Sequence, residues 1–276
     1  MDSGPIGIFD SGYGGLTILR DLISALPGYD YLYLGDNARA PYGQRSFNTI
    51  YEYTLESVRW LFSQACPLVI LACNTASAKA LKNIQLFALP ELAPDRKVLG
   101  VIRPTTEIIG NYTASKHIGI LATTGTVVSG SYLMEIKHFF PEINVFQQAC
   151  PLWVPLIENN EFQNPGADYF IEKYVDQLLA QSPEIDMILL ACTHYPLVRD
   201  KIINFCPPGV NLMSQGPIIA TSLRSYLQKH PEIESRLSKG SRYEFYTTDA
   251  ESDFDSHASR YFGSPVKARH THLDHR

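Results

Sequence analysis

The chain is short of cationic side chains. It carries 23 Lys and Arg against 28 Asp and Glu, a formal charge of −5 over 276 residues. Non-specific binding to nucleic acid needs a cationic face, so no nucleic-acid partner is expected. A small anion needs only a few local donors and is not excluded. There is no CxxC pair among Cys66, Cys73, Cys150, Cys192 and Cys206, and their number is odd. Neither a disulfide framework nor a zinc site fits that spacing. The opening MDSGPIGIFD has no basic residue ahead of its apolar stretch and does not read as a signal peptide. The longest charge-free, apolar-leaning run, Ile118 to Met134, is interrupted by Thr, Ser and Gly and does not read as a membrane span. No GxGxxG follows a strand and no GxxxxGK[ST] occurs, so no cofactor motif is present and no metal is expected. These absences point to a globular protein with free thiols in a reducing, cytoplasmic compartment.

What is there is an alternation. Apolar, β-rich runs at Ile6–Phe9, Tyr31–Leu34, Leu68–Leu71, Val98–Ile102, Ile118–Leu121, Val145–Gln148, Met187–Leu190, Val210–Met213 and Tyr243–Tyr246 are separated by longer amphipathic stretches. Leu16, Leu19, Ile23 and Leu26 recur at helical spacing, as do Tyr51, Leu55, Val58, Leu61 and Phe62. Alternating strands and helices, with fully apolar strands, predict an α/β fold of mainly parallel sheets covered by helices.

The chain also resembles itself. IGIFDSGYGG from Ile6 and IGILATTGTV from Ile118 begin 112 residues apart. LVILACNTA with Cys73 and MILLACTHY with Cys192 place their cysteines 119 residues apart. Two signals in one order at nearly equal offset predict two related α/β units; if these face each other, the carboxyl ends of their strands form a cleft. The first comprises residues 1–98 and carries Cys73; the second comprises 99–209 and carries Cys192; residues 210–276 remain. The last segment is too short for its own core and should pack back on one of the units.

In open α/β sheets, ligands sit at the carboxyl ends of the strands. Both cysteines lie there, each at a strand-to-helix turn. A helix N-terminus favours thiolate over thiol and favours a bound carboxylate. One thiol on each wall of a cleft suits inversion of a stereocentre. One sulfur removes a proton from one face of a carbon and the other returns a proton to the opposite face. The glycine-rich loop Asp10–Gly15 could hold a carboxylate or ammonium group.

GIFDSGYGGL (7–16), YLGDNARAPYG (33–43), ILACNTASA (70–78), GILATTGTVVSGSY (119–132), CPLWVPLIE (150–158) and LLACTHYPL (189–197) together resemble glutamate racemase, of the cofactor-independent aspartate/glutamate racemase group. The resemblance implies two facing α/β domains, the first made of residues 1–98 plus 210–276, and interconversion of L- and D-glutamate for peptidoglycan, without cofactor. It implies Cys73 and Cys192 as the acid/base pair, Cys192 acting on the L-enantiomer and Cys73 on the D-enantiomer. Asp10 and His194 assist them, and Glu158 matches an acidic position near the second cysteine. The substrate-binding residues implied are Asp10, Ser11, Tyr42, Gly43, Asn74, Thr75, Thr123, Thr126, Thr193 and His194. A homodimer is compatible with it. Two places depart from the family pattern: Arg103 stands before Pro104 where an acidic residue is expected, and Asn211 to Gly216 lacks an acidic-Ser pair.

Simpler readings compete. A buried cysteine after an apolar strand is commonly inert; polar residues directly after both Cys73 and Cys192 favour the site. Cys66, Cys150 and Cys206 each precede proline without a polar partner and read as structural. Asp10 could cap the helix beginning near Gly14. His194 could serve as a cap, and Glu158 as a solvated helix residue. His270, His272 and His275 read as a solvated, mobile terminus rather than a metal site. Two lobes around a cleft also describe an amino-acid-binding module, but two cysteines in the cleft count against it. A one-thiol relative or a cysteine hydrolase needs only one of the pair. Glutamate and aspartate differ here only in pocket depth.

Overall fold

The computed structural model describes residues 3–273; Met1 and Asp2 of the opening segment and His275 of the C-terminal histidine group lie outside the described residues. The strands are β1 (Ile6–Asp10), β2 (Tyr31–Gly35), β3 (Leu68–Leu71), β4 (Lys97–Gly100), β5 (His117–Ala122), β6 (Asn144–Ala149), β7 (Met187–Ala191), β8 (Asn211–Met213), β9 (Tyr243–Thr247) and β10 (Ala268–His270). They form two sheets, ordered β10-β9-β2-β1-β3-β4 and β6-β5-β7-β8. The strand pairs of both are parallel.

The internal repeat reappears in this order. The run β2-β1-β3-β4 matches β6-β5-β7-β8 strand for strand. Ile6 lies beside Tyr31 and Leu68, as Ile118 lies beside Val145 and Met187. Cys73 follows the third strand of its unit and Cys192 follows the third strand of the other.

The central strands are largely apolar because helices cover both of their faces. All residues of β1, β2, β3 and β7 are buried. Side chains alternate between faces. Ile6, Ile8, Tyr31, Tyr33, Leu68 and Ile70 enter one core, which contains the helix Gly15–Ala25. Phe9, Leu32, Leu34, Val69 and Leu71 enter another, against the helix Phe47–Ser63. In the second sheet Ile118, Ile120, Met187 and Leu189 face a separate core. Leu121, Ile188 and Leu190 join the same core as Ile6 and Tyr31. One hydrophobic core therefore runs between the two domains.

Three expectations need correcting. The boundary at residue 210 falls too early: β8 pairs with β7, so residues 211–213 belong with the second sheet. The strand foreseen at Val98–Ile102 ends at Gly100, where its pairing with Leu71 ends, and Ile102 opens a short helix. The terminus is less free than read from its composition. Ala268–His270 pairs with β9, and the His270 N–H donates to Glu251 Oε1 at 2.7 Å. The free edge of β9 offers unpaired backbone groups that even a three-residue polar strand can satisfy. The C-terminal segment does return to the first domain: β9 pairs with β2, and the helix Glu251–Phe262 packs on the helix Gly15–Ala25. No helix among the described residues is long and apolar enough to cross a membrane, and no group of three or more metal-type ligands is found among them.

Candidate active site

The carboxyl ends of β1, β3, β5 and β7 converge on one cleft. Ser11, Tyr42, Gly43, Cys73, Asn74 and Thr75 line it from the first domain, and Thr123, Glu158, Cys192, Thr193 and His194 from the second. Two of the expected residues stand behind this lining. Asp10 is buried beneath it at the end of β1. Thr126 is fully buried, 3.1 Å from Thr123 Oγ1 and 3.5 Å from Thr75 Oγ1. Thr75 and Thr123 meet across the cleft, Oγ1 to Oγ1, at 2.9 Å. Thr17 Oγ1 donates to the carbonyl of Thr193 at 3.0 Å, so the domains also touch behind the cysteines.

The cysteines are equally buried, 6% exposed each, but differently equipped. Cys73 is the N-cap of the helix Asn74–Lys79; its Sγ accepts from the Ala76 N–H at 3.4 Å and lies 3.5 Å from Ser11 Oγ. Burial pushes its thiol up to about 11, and neighbouring Asp10 adds to the rise; the Ser11 and Ala76 donors only moderate it. Burial thus works against the easier ionisation expected of a thiol at a helix N-terminus. Cys192 has no α-helix at its back. The turn Thr193–His194 leads into a single 3-10 turn, Tyr195–Val198. Its Sγ lies 3.8 Å from His194 Nδ1, whose other nitrogen meets Glu158 Oε1 at 2.9 Å. Burial alone would lower the His194 imidazole, but its contacts with Cys192 and Glu158 prevail and hold it well above the usual histidine range.

Asp10 is not the cap of the first helix. That N-cap is Gly14 and has no side-chain partner. Asp10 Oδ1 accepts from the Gly12 N–H at 2.9 Å, while Oδ2 is buried without a partner. Burial raises this carboxyl above the usual range, against the pull of His194 and of the Gly15 and Gly12 N–H groups. The Tyr42 phenol donates to buried Asp36, so its hydrogen is committed there. Asp36 also accepts from Arg39 Nε at 2.7 Å and Thr248 Oγ1 at 2.9 Å, which fixes the loop that presents Gly43.

Cys150, read from the sequence as structural, lines the cleft with Pro151, Val154 and Pro155. Its thiol is pushed well up by burial. No polar pattern around it could have signalled the position. Cys66 and Cys206 lie away from the cleft lining.

No family model matches the chain. The glutamate racemase of Streptococcus gordonii is 36% identical over 273 residues, 99% of this chain and 100% of that protein. The glutamate racemase of a Ruegeria species is 40% identical over 238 residues, 83% of this chain and 87% of the other. Among solved structures, a glutamate racemase isoform of Bacillus anthracis superposes with a TM-score of 0.89 at 29% identity, covering 99% of both chains. The Francisella tularensis glutamate racemase, solved with D-glutamate, gives 0.87 at 31%, also over 99% of both. An aspartate racemase from Picrophilus torridus, 18% identical with a TM-score of 0.57 over 86% of this chain and 96% of that one, shares the fold.

Proposed function

The chain belongs to the glutamate racemase family, and from that premise we propose that it interconverts L- and D-glutamate with Cys73 and Cys192 as the two proton carriers. One observation carries the mechanism. Topologically equivalent strand ends of the two domains deliver one sulfur each to a single cleft. A thiolate on one wall removes the Cα proton, and the thiol on the other wall protonates the carbanion from the opposite face. Toward L-glutamate, Cys73 holds its proton and serves as the acid. The charged imidazole of His194 stands beside Cys192, the sulfur proposed to act as base toward L-glutamate; Cys73 takes that part for D-glutamate. Glu158 keeps His194 charged and oriented. Ser11, Gly43, Asn74, Thr75, Thr123 and Thr193 supply polar groups for the substrate carboxylates and ammonium, and Asp10 acts from behind Cys73.

This chemistry needs no cofactor. D-glutamate made this way would supply peptidoglycan synthesis in the cytoplasm, a compartment compatible with five free thiols. The test is circular dichroism of L-Glu, D-Glu, L-Asp and D-Asp with purified protein dialysed against chelator. Inversion of both glutamate enantiomers is expected. Cys73→Ala and Cys192→Ala should each lose racemisation in both directions by at least about 100-fold, whereas Cys206→Ala keeps it. Near-normal inversion by either of the first two would overturn the two-sulfur mechanism.

A further inference from the structure

Asn74 follows Cys73 directly, is 2% exposed and lines the cleft. Its amide is held at both ends. Nδ2 donates to Gln215 Oε1 at 2.7 Å, and Oδ1 accepts from Tyr132 Oη at 2.6 Å. Gln215, itself buried, points Nε2 at the Val101 carbonyl (3.1 Å), Thr105 Oγ1 (3.0 Å) and Tyr132 Oη (2.8 Å). Thr105 Oγ1 donates to the Val101 carbonyl and Tyr132 Oη donates to Asn74, so both oxygens face Gln215 as acceptors. No side-chain polar atom in this cluster lacks a partner.

The cluster has only one self-consistent arrangement. A backbone carbonyl cannot donate, so the Val101 oxygen fixes which end of the Gln215 amide is nitrogen. That leaves Gln215 Oε1 facing Asn74, which fixes Nδ2 of Asn74 there. Turning either amide would set oxygen against oxygen in a buried site, at the cost of unpaired acceptors. An amide nitrogen carries two hydrogens; one is spent on Gln215 and the other remains for a ligand in the cleft. Val101 and Thr105 lie where the chain leaves β4 for the second domain, and Gln215 lies where it returns from β8 to the helix Gly216–Lys229. Tyr132 sits on the helix Ser131–Phe139 of the second domain. The two places that depart from the family pattern, around Arg103 and within residues 211–216, are the two crossings that meet here.

We infer that Gln215 is a positioning residue for glutamate: it ties both interdomain crossings to Asn74 and fixes which end of the Asn74 amide faces the substrate. The inference rests on the racemase reading. Its test is a double-mutant cycle on steady-state racemisation of both enantiomers, with Gln215→Leu, Asn74→Ala and the pair. Gln215→Leu is expected to raise KM for L- and D-glutamate about tenfold, the equivalent of one hydrogen bond, with a smaller change in kcat. In the Asn74→Ala background it should add nothing further. The same fold-rise in KM with and without Asn74, or a wild-type KM in Gln215→Leu, would overturn the inference. Tyr132→Phe removes the donor to Asn74 Oδ1 with little change of shape and covers the case in which Gln215→Leu does not fold. It should show the same dependence on Asn74, and a wild-type KM in that variant would also overturn the inference. Wild-type protein that inverts neither glutamate enantiomer would defeat the racemase reading instead.

Discussion

Cys73 keeps its proton at neutral pH because nothing nearby compensates the loss of water around a thiolate. Ser11 Oγ and the Ala76 N–H are weak partners at sulfur distances, and Asp10 adds negative charge from behind. The sign of the stability effect follows. The folded thiol titrates at about 11 against an ordinary 9.0, so above pH 9 the unfolded chain releases this proton first. The stability in question is intact below pH 9 and is lost as pH climbs towards 11. The full loss is on the order of 2–3 kcal/mol. Thermal melts of the wild type and Cys73→Ala across pH 8 to 11 should show the wild type falling more steeply. Parallel curves would mean that the sulfur is better solvated than its burial indicates. The same comparison explains why this residue's chemistry was only half legible. The position after an apolar strand and before a polar turn marks a site, but the balance between desolvation and helix dipole depends on neighbours distant in sequence.

At the scale of elements, the loop from β1 to the helix Gly15–Ala25 is shaped by what lies across the domain boundary. Gly14 has ordinary helical backbone angles, so its glycine is demanded by space rather than conformation. A Cβ there would overlap Thr193 Oγ1 and come within 2.5 Å of His194 Nδ1. Gly14→Ala should therefore push His194 off Cys192. It should reduce kcat for L-glutamate about tenfold or more and lower stability by about 1–3 kcal/mol. Full activity in that variant would show that His194 has room to retreat. From sequence, Gly14 reads as one glycine in a flexible loop. Its neighbour Thr193 is 179 residues away, and local pattern holds no trace of it. The central strands β1, β2, β3 and β7 were legible because burial on both faces forces continuous hydrophobic runs. Three-residue β10, with ARH, was not, since an edge strand held by backbone bonds requires no such run. Gln215 escaped for a related reason: a lone amide between a strand and a helix gains meaning only when Val101, Tyr132 and Asn74 converge on it.

For the whole molecule, the continuous core decides how the domains behave. Ile6 and Tyr31 of the first sheet share it with Ile188 and Leu190 of the second, and Trp153 and Tyr195 belong to it too. Any large side chain of this shared core that domain separation uncovered would cost about 1.5–3 kcal/mol of burial. A single cooperative heat-capacity peak on unfolding is expected, with calorimetric and van't Hoff enthalpies in agreement. Two resolved peaks would mean that the domains melt independently.

The matching strand order of the two units has a geometric consequence for the substrate. Two half-sites built on one plan are related by rotation, and rotation preserves handedness. The faces of a planar α-carbanion are related by reflection. No amount of likeness between the halves could therefore make the two faces equivalent to a protein made of L-residues. In the proposed mechanism each wall would meet a different view of the same flat intermediate. The unlike partners of the sulfurs, Ser11 and Asp10 on one side and His194 and Glu158 on the other, answer that mismatch. Mirror-image substrates of equal free energy still require equal kcat/KM in the two directions. The difference between the walls must therefore emerge as unequal kcat values offset by unequal KM values, a chirality of kinetics without a chirality of equilibrium.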